Sequence, residues 1–228
     1  MFKKSNKPSG SKAVAQKIGK DLDFASAEAY RLLRTNLSFS LPDKVSGKVI
    51  GITSACPQEG KSTTSVNLSY TLAEAGYKVL LIDADMRRPS VSKMLNQPSS
   101  PGLSNLLTDE GENIIRSGVL VDNLSVLFSG DIPPNPSELI SSDKMARSIE
   151  AFSNEYDYVI IDLPPVIAVS DPLAMSKNID GMVVVVRHGH TKKSDIMETM
   201  RQLELVGANV LGFVYNDAPV NRHSYHTL

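Results

Sequence analysis

Thr53-Ser54-Ala55-Cys56-Pro57-Gln58-Glu59-Gly60-Lys61-Ser62-Thr63 lies between the apolar run Val49-Ile50-Gly51-Ile52 and a helical pattern carried by Leu68, Leu72 and Ala75. A buried strand, a glycine-bearing loop and a helix in that order read as a phosphate-binding loop. The loop delivers the chain to a helix N-terminus, where unpaired N–H groups and the positive end of the helix dipole face an anion. Triphosphate oxygens suit such a cradle, so Ser54, Pro57, Gln58, Glu59, Gly60, Lys61, Ser62 and Thr63 are assigned to ATP. Lys61 reaches the β- and γ-phosphates, and the Ser62 hydroxyl is a ligand for Mg²⁺. The pattern G-x-x-x-x-G-K-[ST] opens on glycine; Ala55 stands there instead, within an intact strand–loop–helix context.

Two further apolar runs end in carboxylates. Tyr77-Lys78-Val79-Leu80-Leu81-Ile82 enters Asp83-Ala84-Asp85-Met86-Arg87-Arg88-Pro89, and Tyr158-Val159-Ile160-Ile161 enters Asp162-Leu163-Pro164-Pro165. In a parallel sheet the carboxyl ends of strands face the ligand crevice, which places Asp83, Asp85 and Asp162 beside the phosphates. Carboxylates belong there only with a metal or a proton to manage; otherwise Asp83 and Asp85 cap the next helix. Asp162 fits the second acidic motif of phosphate-loop NTPases, where an aspartate holds Mg²⁺ directly or through water. Gly76 ends the first of these helices. Strands are also expected at 124–128, 182–186 and 210–214, with a helix through Ile196, Met200 and Leu203 between the last two. Strands alternating with helices imply an α/β fold with a doubly wound, mostly parallel sheet of the P-loop NTPase type. After the last strand, Asn216 either reads adenine or serves a turn with Asp217.

The 228 residues suffice for one large α/β domain. Lysine plus arginine (24) nearly balances aspartate plus glutamate (25), so no overall field recruits nucleic acid, and none is expected as a partner. The single cysteine, Cys56, excludes an internal disulfide and suits a reducing compartment. Inside the loop it reads as a small filler rather than a redox switch, because reactivity requires a depressed pKa. No apolar run approaches the ~20 residues that span a bilayer, and no signal-peptide core is visible. The expectation is a cytoplasmic protein that reaches the inner face of the membrane through a partner.

Residues 1–23, with Lys3, Lys4, Lys7, Lys12, Lys17 and Lys20, read as a mobile basic arm. Residues 24–218 form the domain and 219–228 a flexible tail with Tyr225 as candidate phosphoacceptor. A first helix is expected from Phe24 or Ser26 to Asn36, with Ser26 as N-cap and Glu28 in the first turn. Glu28, Arg31 and Arg34 line one face of it, and Leu32, Leu33 and Leu37 supply an apolar side. Such a charged face is either solvated or meets a neighbouring subunit through bidentate arginine pairs. Another helix begins at Asn135, with Pro136 first and Glu138 in its first turn. Arg187-His188-Gly189-His190 lacks metal-ligand spacing and reads as a loop.

Together, Thr53-Ser54 through Ser62-Thr63, Leu81-Ile82-Asp83-Ala84-Asp85-Met86-Arg87-Arg88-Pro89 and Ile160-Ile161-Asp162-Leu163-Pro164-Pro165 resemble the phosphate loop and two acidic motifs of bacterial tyrosine kinases. The resemblance is to the stand-alone cytoplasmic subunit of Gram-positive capsule and exopolysaccharide systems. Pro101-Gly102-Leu103-Ser104, Pro133-Pro134-Asn135-Pro136-Ser137-Glu138-Leu139 and Glu28-Ala29-Tyr30-Arg31-Leu32-Leu33-Arg34-Thr35-Asn36 also fit, so it covers residues 24–228. It implies a protein-tyrosine kinase in which Lys61 and the loop amides hold ATP, and Ser62, Asp85 and Asp162 hold Mg²⁺. Lys61, Asp83, Asp85 and Asp162 are the implied catalytic set, with Asp83 favoured to take the tyrosine proton. Phosphoryl transfer asks mainly for positioning and charge neutralisation, so this set is chemically sufficient.

The resemblance also implies a ring of subunits, with Glu28, Arg31 and Arg34 at the interface and the tail of one subunit in the next subunit's site. A transmembrane adaptor, protein tyrosine substrates and a cognate phosphatase are the implied partners. Such proteins usually carry several terminal tyrosines; a tail with Tyr225 alone gives a smaller graded response to phosphorylation. Two other readings compete. A partitioning-type P-loop ATPase usually carries a second lysine early in the loop, and Thr53 to Gly60 contains none. An ATP-binding regulatory scaffold would use the same residues without turnover.

Overall fold

The computed structural model describes residues 17–41, 44–110 and 114–219; Tyr225 and most of the basic arm lie outside the described residues. In chain order the elements are α1 (Phe24–Ser40), β1 (Lys48–Ser54), α2 (Lys61–Glu74), β2 (Val79–Asp83), α3 (Val91–Met94), α4 (Leu103–Leu107), β3 (Ile115–Arg116), β4 (Leu124–Leu127), α5 (Pro136–Ser141), α6 (Asp143–Glu155), β5 (Tyr158–Asp162), α7 (Asp171–Met175), β6 (Gly181–Arg187), α8 (Lys193–Leu205) and β7 (Val210–Asn216). The strands form one sheet in the order β3-β4-β2-β5-β1-β6-β7. Every neighbouring pair is parallel except the short β3, which runs antiparallel to β4.

Both faces of the sheet are covered, which is why its strands are apolar throughout rather than alternating. Leu80, Ile82, Val159, Ile161 and Val184 pack with Ile140, Met145, Ile149, Met175 and Leu203 of α5 to α8. Ile50, Ile52, Leu81, Ile160 and Val183 pack on the other face with Leu37 of α1 and Val66, Leu68 and Leu72 of α2. Each fully buried side chain of this size contributes roughly 1.5–3 kcal/mol. Chain order reverses around β1: the chain leaves it for β2 on one side, returns through β5, and leaves again for β6 and β7 on the other. Ligand crevices form at such a reversal, at the carboxyl ends of the strands. Registers Ile52↔Asp162 and Asp83↔Asp162 level the ends of β1, β5 and β2 there.

The expected elements at 77–82 and 124–128 are Val79–Asp83 and Leu124–Leu127, and β6 and β7 run longer than expected. The first helix departs more. Its N-cap is Asp23, whose side chain accepts the Ser26 N–H at 2.9 Å, so Ser26 is inside the helix and no acidic residue occupies the first turn. The helix continues to Ser40, because neither glycine nor proline interrupts it. Leu37 is buried, whereas Leu32, assigned to the apolar side, is 62 % exposed. Residues 19–21, counted with the arm by composition, instead form a 3₁₀ turn against the domain. There Gly19 is buried and its N–H donates to Asn67 Oδ1 at 2.9 Å. Asn135 and Pro136 open α5 as expected, but the Asn135 amide donates to Glu138 Oε2 at 2.6 Å instead of its oxygen capping the helix. Among the described residues no helix is long and apolar enough to cross a membrane.

Candidate functional site

The loop between β1 and α2 is turned by two left-handed residues, Gln58 (φ 65°) and Gly60 (φ 94°). At Gly60 the lack of a side chain is required twice: the backbone is left-handed, and a Cβ would stand 2.1 Å from Asn216 Nδ2. Ala55, at the position of the pattern's first glycine, is fully buried and is not among the left-handed residues. Its methyl group is therefore accommodated, which accounts for the departure from the pattern. The Thr53 hydroxyl donates to Pro164 O at 2.7 Å, and Ser54 Oγ to Cys56 O at 2.8 Å. Lys61, Ser62 and Thr63 open α2, so helix geometry leaves their N–H groups without intrahelical acceptors.

Not every loop residue faces this cradle with its side chain. Glu59 is fully buried. Its Oε2 accepts the Cys56 N–H at 2.9 Å and its Oε1 the Thr191 hydroxyl at 2.5 Å, which leaves its backbone N–H for a ligand. Asn216, at the end of β7, donates from Nδ2 to Glu59 O at 3.0 Å. Burial, helped by the nearby charges of Glu59 and Asp195, pushes the Cys56 thiol pKa up, away from reactive thiolate chemistry.

The three expected carboxylates converge on Lys61. Its Nζ lies 3.0 Å from Asp85 Oδ2 and 3.3 Å from Asp162 Oδ2. Ser62 Oγ donates to Asp162 Oδ2 at 2.6 Å, and Ser65 Oγ to Asp162 Oδ1 at 3.1 Å. Asp83 and Asp162 are fully buried and Asp85 nearly so. Burial opposes the Lys61 ammonium, but the Asp162 and Asp85 carboxylates outweigh it and hold its pKa above the usual value. Burial raises Asp162 against the pull of Lys61 and Ser62. Asp83 is pushed up to about 8 by burial first and by the charge of Asp162 second. Asp83 also accepts the N–H groups of Ser90 (3.3 Å) and Val91 (3.1 Å) on Oδ2. The capping role and the place in the site, alternatives in the sequence, are thus both filled by one carboxylate.

Three buried carboxylates facing one ammonium favour a cation or a proton among them. The donor set is oxygen only: the Ser62 hydroxyl with the carboxylates of Asp85 and Asp162. That suits Mg²⁺, which is held by one or two carboxylates, waters and substrate phosphates rather than by a protein cage.

One network at the site was invisible in the sequence. Arg87, just past the acidic pair at the end of β2, places Nε 3.2 Å from Asp171 Oδ2 and Nη2 2.7 Å from Ser137 Oγ. Ser137 in turn donates to Asp171 Oδ1 at 2.7 Å, with Asp171 buried. This triangle ties the loop after β2 to α5 and α7. Its only sequence signals were the two helix starts, Pro136-Ser137 and Asp171-Pro172.

Glu28, Arg31 and Arg34 do share α1, but they are engaged within the chain. Arg31 pairs with Glu28 and lies 3.9 Å from Glu74, and Arg34 Nη1 donates to Thr71 O at 2.8 Å. Of the stretch read as a loop, Arg187 ends β6 and His188-Gly189-His190 form a turn, in which His188 Nδ1 and the Tyr215 hydroxyl lie 2.5 Å apart.

Comparison with known proteins places this geometry in context. A family model described as an AAA domain matches residues 47–209. The chain is 39 % identical over 202 residues to tyrosine-protein kinase YwqD of Bacillus subtilis, covering 87 % of this chain and 84 % of that one. The kinase domain of Escherichia coli tyrosine kinase ETK superposes with a TM-score of 0.78 at 33 % identity, covering 85 % of this chain and 78 % of that one. The septum site-determining protein MinD of Pyrococcus horikoshii, solved with Mg-ADP, is 24 % identical with a TM-score of 0.62 over 74 % of this chain and 70 % of that one, a likeness of fold alone.

Proposed function

The chain belongs to the bacterial tyrosine-kinase family, and from that premise we propose that it transfers the γ-phosphoryl group of ATP to tyrosine hydroxyls, its own Tyr225 included, in the control of capsular or extracellular polysaccharide synthesis. The observation that carries the reading is the buried cluster of Lys61, Asp83, Asp85 and Asp162 at the foot of the phosphate loop. Lys61 and the loop amides would hold the triphosphate, and Ser62, Asp85 and Asp162 would hold Mg²⁺, which would offset phosphate charge. The tyrosine oxygen attacks the γ-phosphorus and ADP leaves. The tyrosine proton goes to one of the carboxylates; Asp83, whose pKa of about 8 lets its ionised form become populated as the pH rises toward that value, suits a general base.

A ring in which one tail enters the next site is the assembly we propose. Phe24, Leu32 and Phe39 support it: they are 73 %, 62 % and 85 % exposed on the same helix as Glu28, Arg31 and Arg34. In a ring the pairs Arg31–Glu28 and Arg31–Glu74 would be exchanged for contacts to the neighbour. A transmembrane adaptor, acting with a cognate phosphatase, would bring the kinase to the inner face of the cell membrane.

One experiment separates this reading from a partitioning-type ATPase and from an ATP-binding scaffold. Phosphotyrosine is detected on the wild type and on Lys61→Met, with ATP hydrolysis measured in parallel. Phosphotyrosine on the wild type alone is the expected result. Hydrolysis without phosphotyrosine would make the protein a partitioning-type ATPase, and the absence of both a scaffold.

A further inference from the structure

The phosphate loop is held from outside by the ends of β6 and β7. Arg187, the last residue of β6, donates from Nη1 to Gln58 O at 3.1 Å and from Nε to Asp217 Oδ2 at 2.7 Å. Asn216, the last residue of β7, donates to Glu59 O at 3.0 Å. Thr191, in the turn after β6, accepts the Arg187 N–H at 2.8 Å on the same hydroxyl that donates to Glu59 Oε1. Two consecutive loop carbonyls and the intervening side chain are therefore gripped by one pair of strand ends.

A planar trans peptide points its C=O and the following N–H in opposite directions. Holding Gln58 O and Glu59 O toward Arg187 and Asn216 turns the N–H groups of Glu59 and Gly60 the other way. Those are the donors that, with the first N–H groups of α2, form a concave anion nest. The grip also holds Gln58 in a left-handed conformation that a non-glycine residue adopts only when its surroundings impose it.

We infer that Arg187, oriented by Asp217, and Asn216 are positioning residues for phosphate binding: they aim the loop amides of Glu59 and Gly60 at the polyphosphate and act on it through the loop rather than by reading the base. The inference rests on the nucleotide-binding reading of the loop but not on tyrosine as acceptor. It also replaces the expectation that Asn216 reads adenine with a different task for the same side chain. Arginine suits the first position because its planar fork serves the Asp217 carboxylate and the Gln58 carbonyl together, which a lysine ammonium does less well.

The test compares binding of Mg·ADP and of inorganic tripolyphosphate with Mg²⁺, by calorimetry on the full chain, for the wild type, Arg187→Ala, Asn216→Ala, Asp217→Asn and Arg187→Ala/Asp217→Asn. Losing one charge-assisted hydrogen bond to the loop should weaken both ligands by the same factor, about tenfold, in Arg187→Ala. Asp217→Asn should weaken them less, and the double variant no more than Arg187→Ala. In the free protein the Glu59 and Gly60 amide resonances should move in Arg187→Ala and in Asn216→Ala, a change that general loss of stability would not confine to two amides. Loss of ADP affinity with tripolyphosphate affinity intact would mean that these residues read the base and would overturn the inference. Unmoved amides, or additive losses in the double variant, would also overturn it. A wild type that binds ADP yet forms no phosphotyrosine would refute the kinase reading and leave this test standing.

Discussion

Replacing Asp83 with asparagine should make the nucleotide-free protein more stable at neutral pH while abolishing phosphoryl transfer. The carboxylate is fully buried and accepts N–H groups from Asp85 (3.3 Å), Ser90 (3.3 Å) and Val91 (3.1 Å). Burial and then the charge of Asp162 lift its pKa from 3.8 to about 8, against the pull of Lys61. In the unfolded chain the same carboxyl ionises near pH 4, so between about pH 4 and about pH 8 the folded state holds a proton that the unfolded state has released. The stability contributed by this group is therefore fully present below about pH 4 and is lost as pH rises toward about 8, at up to about 1.4 kcal/mol per pH unit.

By about pH 7.5 the wild type has given up several kcal/mol relative to a neutral amide, on the order of 3–5 kcal/mol. Asparagine returns roughly 1 kcal/mol of that, because its NH₂ must face a backbone N–H that an oxygen now accepts. A net gain of a few kcal/mol should raise the melting temperature by roughly 5–10 °C at about pH 7.5 and by little at about pH 5. Calorimetry in chelator across that range measures it. A constant offset between variant and wild type at every pH, or a variant less stable only at the higher pH, would refute the reasoning.

Lys61→Met should reduce autophosphorylation at least about a hundredfold, the usual cost of removing a key charge-stabilising donor, and should also lower the melting temperature of the apo protein, because Asp85 and Asp162 lose the ammonium that pairs with both. Gly60→Ala combines left-handed strain with the 2.1 Å approach to Asn216 and should weaken Mg·ADP roughly thirtyfold or more by calorimetry. Phe39→Ser should lower the mass measured by light scattering toward that of a monomer and leave ADP affinity unchanged; an unaltered mass would remove α1 from the interface. Tyr225→Phe should lose most phosphate incorporation in the presence of ATP and a cytoplasmic fragment of the proposed adaptor; equal incorporation would show that other tyrosines are the acceptors.

The parts of the fold that were legible are those where one local rule dominates. Strands β1, β2 and β5 are buried on both faces, so each is a continuous apolar run, and each ends where the crevice begins, in Ser54, Asp83 or Asp162. The N-cap of α1 was misassigned, although its start at Phe24 was one of the two expected, because Asp23 and Ser26 are both cap-forming types three residues apart, and in the structure one caps the other. Sequence could assign Glu59 and Asn216 to the loop's neighbourhood but not the direction of their side chains. The Arg87–Asp171–Ser137 triangle was beyond reach for a plainer reason: its members are 84, 50 and 34 residues apart, and no periodicity links them.

Asp83 shows why local readings of a site can fail to exclude one another. Two backbone N–H groups, from Ser90 and Val91, hold Oδ2, and the Asp85 N–H holds Oδ1, so the cap fixes the orientation of a carboxylate whose burial keeps it protonated near neutrality. A solvated base would be easier to ionise but free to rotate. The same donors that would ordinarily lower a carboxyl pKa are here outweighed by burial and by Asp162, and the outcome is a group held in place yet close to its titration point. Removing the Asp162 charge should therefore lower the Asp83 pKa, while removing Lys61 should raise it. Lys61 and Asp162 thus set the protonation of a group that neither of them replaces.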